Sequence, residues 1–485
     1  MAKDNSTGKG NVTRDIVAKL WNLCNILRDD GITYNEYVTE LTYLLFLKML
    51  AETGKESRLP DGYHWQDLDA KEGLLQLDFY RQLLLDLGNP EKVIDRVVLA
   101  IFTDAQTKLR KPTNLKSLSD AIDKLDWFSA REEGLGDLYE GLLAKNADEK
   151  KSGAGQYFTP RPLIDAIIRL VKPQAGEVIQ DPAAGTGGFL VAADQYIREQ
   201  TNDFYTLSQA ENHFQHHQAF TGLELVPDTH RLCLMNLILH GIESGVSCGD
   251  SLSPDGETLG RADVILTNPP FGTKKGGGKP TRSDFSVTAD TSNKQLAFVE
   301  HIYRALKPKG RAAIVLPDNV LFEDNTGRKL RQQLMELCNL HTILRLPTGI
   351  FYAQGVKTNV LFLSRGETDR ANTQAVWVYD MRSNMNTFGK TRQLTLADFA
   401  EFEAAFGADP WGNSPRIDGG EEGRFRCFTR EQIADRNDNL DISWLRDTSN
   451  DPEDEMTEPG EIATAIADYL RSALGEIEGL MGELE

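Results

Sequence analysis

Asn268, Pro269, Pro270 and Phe271 follow directly on Val264 to Thr267, a short apolar run that reads as a buried strand. Two successive prolines cannot continue a hydrogen-bonded ladder, so the strand must stop at Asn268 and leave the tetrad at its carboxyl end. In an open α/β sheet that end faces the ligand crevice. These residue types suit methyl transfer to a planar amino group, whose nitrogen is a poor nucleophile because its lone pair is delocalised. Two oxygen acceptors that take its two hydrogens draw the nitrogen toward tetrahedral geometry. The side-chain carbonyl of Asn268 can be one acceptor and the backbone carbonyl of Pro269 the other. Pro270 stiffens the path, because proline has no N–H and restricts the residue before it. Phe271 offers a flat face to a base taken out of its stack, a contact of about 1–3 kcal/mol per base in nucleic-acid complexes. Taken alone, the tetrad reads equally well as a strand stop followed by a core phenylalanine.

A second constellation lies upstream. Val178 to Gln180 read as a strand, Asp181-Pro-Ala-Ala-Gly-Thr-Gly-Gly-Phe189 as a glycine-rich turn, and Leu190 to Gln200 as a helix. Gly185, Gly187 and Gly188 permit a tight turn and a close approach to a ligand. The lysine and hydroxyl residue of a phosphate-gripping P-loop are missing, which argues against an ATPase. Ala219 to Leu223 read as the next strand and end in Glu224, a carboxylate placed to accept both hydroxyls of a ribose. A third, Val246 to Gly249, ends in Asp250, which either binds the amino group of a cofactor adenine or is an ordinary turn aspartate before Ser251. His213, His216 and His217 lack a cysteine or carboxylate that would complete a ligand spacing, so they read as a solvated loop and no metal is expected. In order, Asp181, Glu224, Asp250 and Asn268 outline a nucleoside-shaped cleft beside a base-shaped one.

Three motifs in this order, Gly155-Gln-Tyr-Phe-Thr-Pro160, the Asp181–Phe189 turn and Asn268-Pro-Pro-Phe271, resemble the adenine-N6 DNA methyltransferases whose cofactor motifs precede the catalytic tetrad. The helical amino-terminal region, the stretch from Leu346 to Asn359 and Leu440-Asp-Ile-Ser-Trp444 extend the likeness to the modification (M) subunit of bacterial type I restriction-modification systems, over residues 14–485. The resemblance implies an α/β fold: a Rossmann-like S-adenosylmethionine-dependent methyltransferase domain with an N-terminal helical domain and a C-terminal helical tail. It implies S-adenosylmethionine as cofactor and DNA as substrate. It also implies a separate specificity (S) subunit, two M per S, and a restriction (R) subunit for cleavage. Carried onto this sequence, Gln156, Tyr157, Phe158, Thr159, Pro160 and Arg161 line the methionine end of the cofactor pocket, and Thr186, Gly187, Gly188 and Glu224 hold the rest. Ala184 stands where many family members carry cysteine; since the reaction needs no thiol, little should change. Two other readings stay open: transfer to another planar amino group, of cytosine or a protein glutamine, and a cofactor-binding scaffold that transfers nothing.

A chain of 485 residues exceeds one core, and its 40% hydrophobic and 26% charged residues are an ordinary soluble composition. No apolar run approaches the roughly 18 residues of a membrane span, and Met1 to Arg14 lacks the apolar core of a signal peptide, so the expected location is the cytoplasm. Cys24, Cys233, Cys248, Cys338 and Cys427, scattered and odd in number, fit reduced thiols. The balance of 53 Lys and Arg against 73 Asp and Glu leaves a net charge of −20, whereas a protein that grips DNA unaided carries a basic footprint. Either a partner supplies it or it is local. The local candidate is Lys274, Lys275, Gly276, Gly277, Gly278, Lys279 and Arg282, a loop able to close over a phosphate backbone.

The elements that must position these residues divide into four regions. Residues 1–147 read as a helical domain, with Ile16, Leu20, Leu23 and Leu27 and then Leu41, Leu44, Leu45 and Met49 at helical spacing. Residues 148–400 read as the catalytic domain, entered through a glycine-containing linker. Its helices at Lys294–Leu306 and Leu330–Cys338 alternate with strands at Arg311–Leu316, Thr342–Leu346, Asn359–Leu363 and Trp377–Asp380, the pattern of a parallel, doubly wound sheet. Asp318, Asn319 and Phe322 follow a strand end and either line the base pocket or serve as turn residues. Residues 401–459 read as an irregular acidic extension and linker. Residues 460–485 carry Ile462, Ile466, Tyr469, Ala473, Ile477, Leu480 and Leu484 at three- and four-residue steps, a stripe for a helix that packs on its own domain or, by the resemblance, docks on the S subunit.

Overall fold

A computed structural model describes residues 16–23, 27, 31–32, 34–127, 136, 139–143, 159–243, 245–272, 278–351, 356–385, 388 and 392–445. The chain divides into two compact units, residues 1–150 with 226–243 and residues 151–225 with 244–485.

The first unit is helical. Its central helix, Tyr34–Glu52, buries Tyr37, Val38, Leu41, Tyr43 to Leu47, Met49 and Leu50. An α-helix apolar on nearly every side is stable only when wrapped by others. The helices Gly73–Leu87, Arg96–Phe102 and Pro112–Asp123 do this, contributing Tyr80, Leu83 and Leu84, Val98, Ile101 and Phe102, and Leu115, Leu118 and Ile122. Asp95 caps the helix Arg96–Phe102 by accepting from the N–H groups of Val97 (2.9 Å) and Val98 (3.0 Å), and also pairs with Arg58. The helix Pro227–Leu239, distant in sequence, belongs here too. Its Leu234, Met235 and Ile238 join this core, and Arg231 donates to the Ile101 (2.6 Å) and Thr103 (2.9 Å) carbonyls at the end of Arg96–Phe102. A helical unit ending at residue 147 therefore leaves out one of its own helices.

Among the described residues the second unit is built on nine strands: β1 Ile179–Asp181, β2 Phe220–Glu224, β3 Val246–Cys248, β4 Ala262–Thr267, β5 Leu306–Pro317, β6 Cys338–Arg345, β7 Thr358–Arg365, β8 Ala375–Asp380 and β9 Phe425–Thr429. They form one sheet in the order β3-β2-β1-β4-β5-β7-β6-β8-β9. The β3-β2-β1-β4-β5 half is parallel throughout, with Ile179 opposite both Phe220 and Val264. The fully parallel sheet read from the alternation is corrected in the other half. There β7 inserts antiparallel between β5 and β6, which needs no crossover helix, and β9 pairs antiparallel with β8. The irregular extension is corrected with it: residues 401–445 contain β9 and the helix Arg430–Asp435, and Thr429 lies opposite Ala375. Arg424, Arg426 and Arg430 in and around β9 are the kind of charge that edge strands carry, and they hide a strand from apolar-pattern reading.

The helix Arg161–Val171 matters most for placing the site. Its apolar stripe, with Leu163, Ile164, Ile167 and Ile168 buried, lies on the helix Gly188–Gln200. Gly188 permits the approach, since a Cβ there would sit 3.2 Å from Cδ1 of Ile164. Arg311 on β5, 2% exposed, donates to the carbonyls of Val171 and Lys172 (2.7 Å each) and pairs with Glu177, fixing the carboxyl end of that helix against the sheet.

In the first unit Glu40 is 1% exposed and accepts from the Tyr80 hydroxyl, the Thr107 hydroxyl and the Lys108 backbone N–H. Burial pushes its carboxyl up to about 7, against the lowering effect of those hydrogen bonds. Because the unfolded carboxyl ionises near 4.5, stability from this group is complete below that pH and is lost as pH rises to about 7. Glu40→Gln should therefore flatten the fall in melting temperature between these values; curves parallel to the unsubstituted chain would contradict the assignment.

Candidate active site

Strand directions bring one end of β1, β2, β3, β4, β5, β6 and β8 to the same sheet edge. Along it stand Asp250, Glu224, Asp181, Asn268 and Asp318, in the spatial order β3-β2-β1-β4-β5. The crossing from β1 to β4 is where strand order reverses, and such switch points form ligand crevices.

On the β1 side, the turn is built by glycines. Gly185 has φ +55° and Gly187 φ +82°, left-handed values that favour glycine, and Gly187 caps the helix Gly188–Gln200. Gly222 on β2 lets the turn close down, because a Cβ there would lie 2.6 Å from the Asp181 carbonyl. Glu224, 7% exposed, accepts from the Gly185 N–H at 2.9 Å, so the carboxylate and the turn are fixed to each other. Asp181, 2% exposed, accepts from the Ala183 N–H at 3.0 Å. Burial pushes its carboxyl up to about 7, helped by the nearby Glu224 charge and opposed by Thr267 and Ala183. Asp250 accepts from the Leu252 N–H at 2.9 Å, the bond of a turn aspartate, while its position at the end of β3 keeps it at the same edge. Thr186 and Gly188 are half-buried within the turn. A buried carboxylate supplies the acceptor that ribose hydroxyls need, and the glycine turn beside it lets the backbone approach a nucleoside, so these residues fit the expected cofactor.

Of the upstream motif, Gln156, Tyr157 and Phe158 lie outside the described residues. Pro160 caps the helix Arg161–Val171, and Arg161 pairs with Asp165 (2.8 Å) and donates to Gln195 on the neighbouring helix. The Arg161 guanidinium thus ties two helices together. Thr159 reaches the tetrad: its hydroxyl oxygen accepts from Nδ2 of Asn268 at 3.0 Å. The Oδ1 atom of Asn268 is buried and has no hydrogen-bond partner among the described residues. Pro269 is buried, and the Phe271 ring lies edge-on to Phe351, 6.2 Å between centroids.

The basic segment after the tetrad is described only in part. Lys274, Lys275, Gly276 and Gly277 lie outside the described residues. Lys279 pairs with Asp290 at 3.2 Å. Arg282, 7% exposed, binds both oxygens of Asp284 (2.8 Å each), the Ser251 carbonyl and Nδ1 of His301, and lies over the Phe285 ring. A guanidinium so committed is a structural clamp, which corrects its assignment as a phosphate contact.

Asp318 is likewise committed. It accepts from Arg382 (2.8 and 3.0 Å) and from Nδ2 of the buried Asn359 (2.8 Å). Burial raises its carboxyl, but Arg382 and Asn359 outweigh this and hold it below the usual range. Arg382 also donates to the carbonyls of Leu346 and Thr358, while Arg345 donates to Asp380, Asp441 and the Ile442 carbonyl. Two arginines therefore hold Leu346, Thr358 and Asn359, and Asp441 and Ile442, to the sheet edge. Asn319 opens a short helix, Asn319–Phe322, and Phe322 is 45% exposed. His213, His216 and His217 lie on the helix Gln209–His217, opened by a Ser208 capping box, which corrects the loop reading. Among the described residues no group of His, Cys, Asp and Glu could hold a metal, and no helix is long and apolar enough to cross a membrane.

Comparison with known proteins adds independent findings. The family model N-6 DNA Methylase matches residues 130–454, and the HsdM N-terminal domain model matches residues 16–132. The chain is 49% identical over 510 residues to the type I restriction enzyme StySJI methylase subunit of Salmonella typhimurium, covering 97% of this chain and 95% of that one. It is 48% identical over 510 residues to the EcoKI methylase subunit of Escherichia coli K12, with the same coverage. The crystal structure of the EcoKI M protein superposes with a TM-score of 0.57 at 45% identity, covering 97% of this chain and 96% of that chain.

Proposed function

The chain belongs to the N-6 DNA methylase family, alongside the methylase subunits of type I restriction enzymes, and we propose that Asn268 and Pro269 are its acceptor-base machinery. The reaction is transfer of a methyl group to the N6 amino group of adenine in DNA. The observation that carries the reading is the Oδ1 of Asn268 at the end of β4, one strand from the glycine turn, buried and without a hydrogen-bond partner among the described residues.

S-adenosylmethionine supplies an electrophilic methyl group on a positively charged sulfur. Glu224 would receive the ribose hydroxyls and the Asp181–Gly188 turn would seat the nucleoside, with Asp250 toward the adenine and Gln156 to Arg161 toward the methionine end. Asn268 Oδ1 and the Pro269 carbonyl would take the two hydrogens of the adenine amino group, concentrating its lone pair on the side facing the donor. Phe271 would stack on the extruded base. Afterwards the nitrogen carries one proton too many, which passes to solvent or to a neighbouring oxygen.

The target sequence is chosen by a separate specificity subunit, with two copies of this chain per specificity subunit, and a restriction subunit joins for cleavage. The net charge of −20 supports this division, since partners would supply much of the basic surface. An intracellular, cytoplasmic setting follows from DNA as substrate. The apolar stripe of residues 460–485, which lies outside the described residues, is the proposed docking helix.

With labelled S-adenosylmethionine, DNA and a co-expressed specificity subunit, label should appear in methyladenine and vanish in Asn268→Ala, while cofactor affinity changes less than about twofold. That split is expected because the amide serves the acceptor alone. Label in methylcytosine or protein, or full turnover by the variant, would overturn the reading. Deleting residues 460–485 should weaken assembly with the specificity subunit and spare cofactor binding; equal loss of both would count against the docking role.

A further inference from the structure

A carboxamide is nearly symmetric in shape, so the sheet alone does not decide which end of Asn268 faces the base. Rotation by 180° exchanges an acceptor for a donor, and a donor would meet the hydrogens of the incoming amino group with nothing to accept them. Something must hold the amide one way round.

We infer that Thr159 is a positioning residue for Asn268: by accepting from Nδ2, it keeps Oδ1 turned toward the acceptor base. The inference rests on the methyl-transfer reading above. A hydroxyl can also donate, so the flipped amide would keep a bond to Thr159. It would, however, place an NH2 group at the buried position now held by Oδ1. Buried N–H groups without partners are rarer in proteins than under-satisfied carbonyls, so the observed orientation is preferred. Remove the hydroxyl and both orientations strand the NH2 group, and the preference goes. Thr159 is itself well fixed. It precedes Pro160, which biases it to extended backbone, and leads into the helix that Arg311 and the Arg161–Gln195 contact hold in place. Its place in the sequence resemblance was as a lining of the cofactor pocket; the contact to Asn268 gives it work at the other substrate.

The test uses the full chain co-expressed with its specificity subunit, comparing Thr159→Val, nearly the same shape, with Thr159→Ser, which keeps the hydroxyl. Thr159→Val should lower kcat about tenfold to a hundredfold, a larger change than in KM for S-adenosylmethionine or for DNA, and Thr159→Ser should keep most of the turnover. If Thr159→Val fails to fold, judged by its melting curve, Thr159→Ala is read in its place against Thr159→Ser. An unchanged kcat, a raised KM for S-adenosylmethionine at normal kcat, or equal impairment of the serine and valine variants would each overturn the inference. Absence of Asn268-dependent transfer in the unsubstituted protein would instead remove the reading on which it stands.

Discussion

Among the described residues, the side-chain amide of Asn268 has a partner at one end only. Its nitrogen is engaged by Thr159, and its buried oxygen meets no donor there. An unmet buried acceptor costs on the order of 1–3 kcal/mol, and at the mouth of a ligand crevice an incoming donor can recover that cost. Most of the second unit can be understood as the scaffold that holds this amide beside the glycine turn. Strands β1 and β4 lie next to each other and parallel, with Ile179 opposite Val264, so the turn after β1 and the tetrad after β4 leave the sheet at one place.

The supporting contacts run outward from there. Thr159 is placed by the helix Arg161–Val171, which is held at its start by Arg161 and at its end by Arg311. Glu224 is fixed to the turn through the Gly185 N–H, and the turn can approach β2 only because residue 222 has no side chain. Beyond β5, charged groups do what apolar packing does elsewhere: Arg382 gathers Asp318, Asn359 and two carbonyls, and Arg345 reaches Asp380 and Asp441. Buried arginines of this kind are tolerated because most of their donors find an oxygen, the Nε of Arg345 being an exception among the described residues. They make the edge rigid at positions a reader of the sequence would take for solvent-facing.

The parallel half of the sheet was legible because its strands are apolar runs ending in a polar residue with a purpose. Asp181, Glu224, Asp250 and Asn268 fall in the expected order along the edge, and β1 to β4 lie within two residues of their expected bounds. Periodicity carries no information on direction, so β7 could not be recognised as antiparallel, and β9 was hidden by its arginines. Local spacing was equally blind to contacts across 109 residues, the separation of Thr159 from Asn268. The same blindness misassigned Arg282, whose partners Ser251 and His301 are far from it in sequence, and left the helix Pro227–Leu239 outside the helical unit it completes.

The most direct measurement is a structure of the full chain with its specificity subunit, a non-reactive analogue of the methyl donor and DNA containing the target adenine. The expected result is an extruded adenine whose N6 lies within hydrogen-bonding distance of Asn268 Oδ1 and the Pro269 carbonyl, with Thr159 still bound to Nδ2. An amide turned away from the base, or presenting its nitrogen to N6, would contradict it.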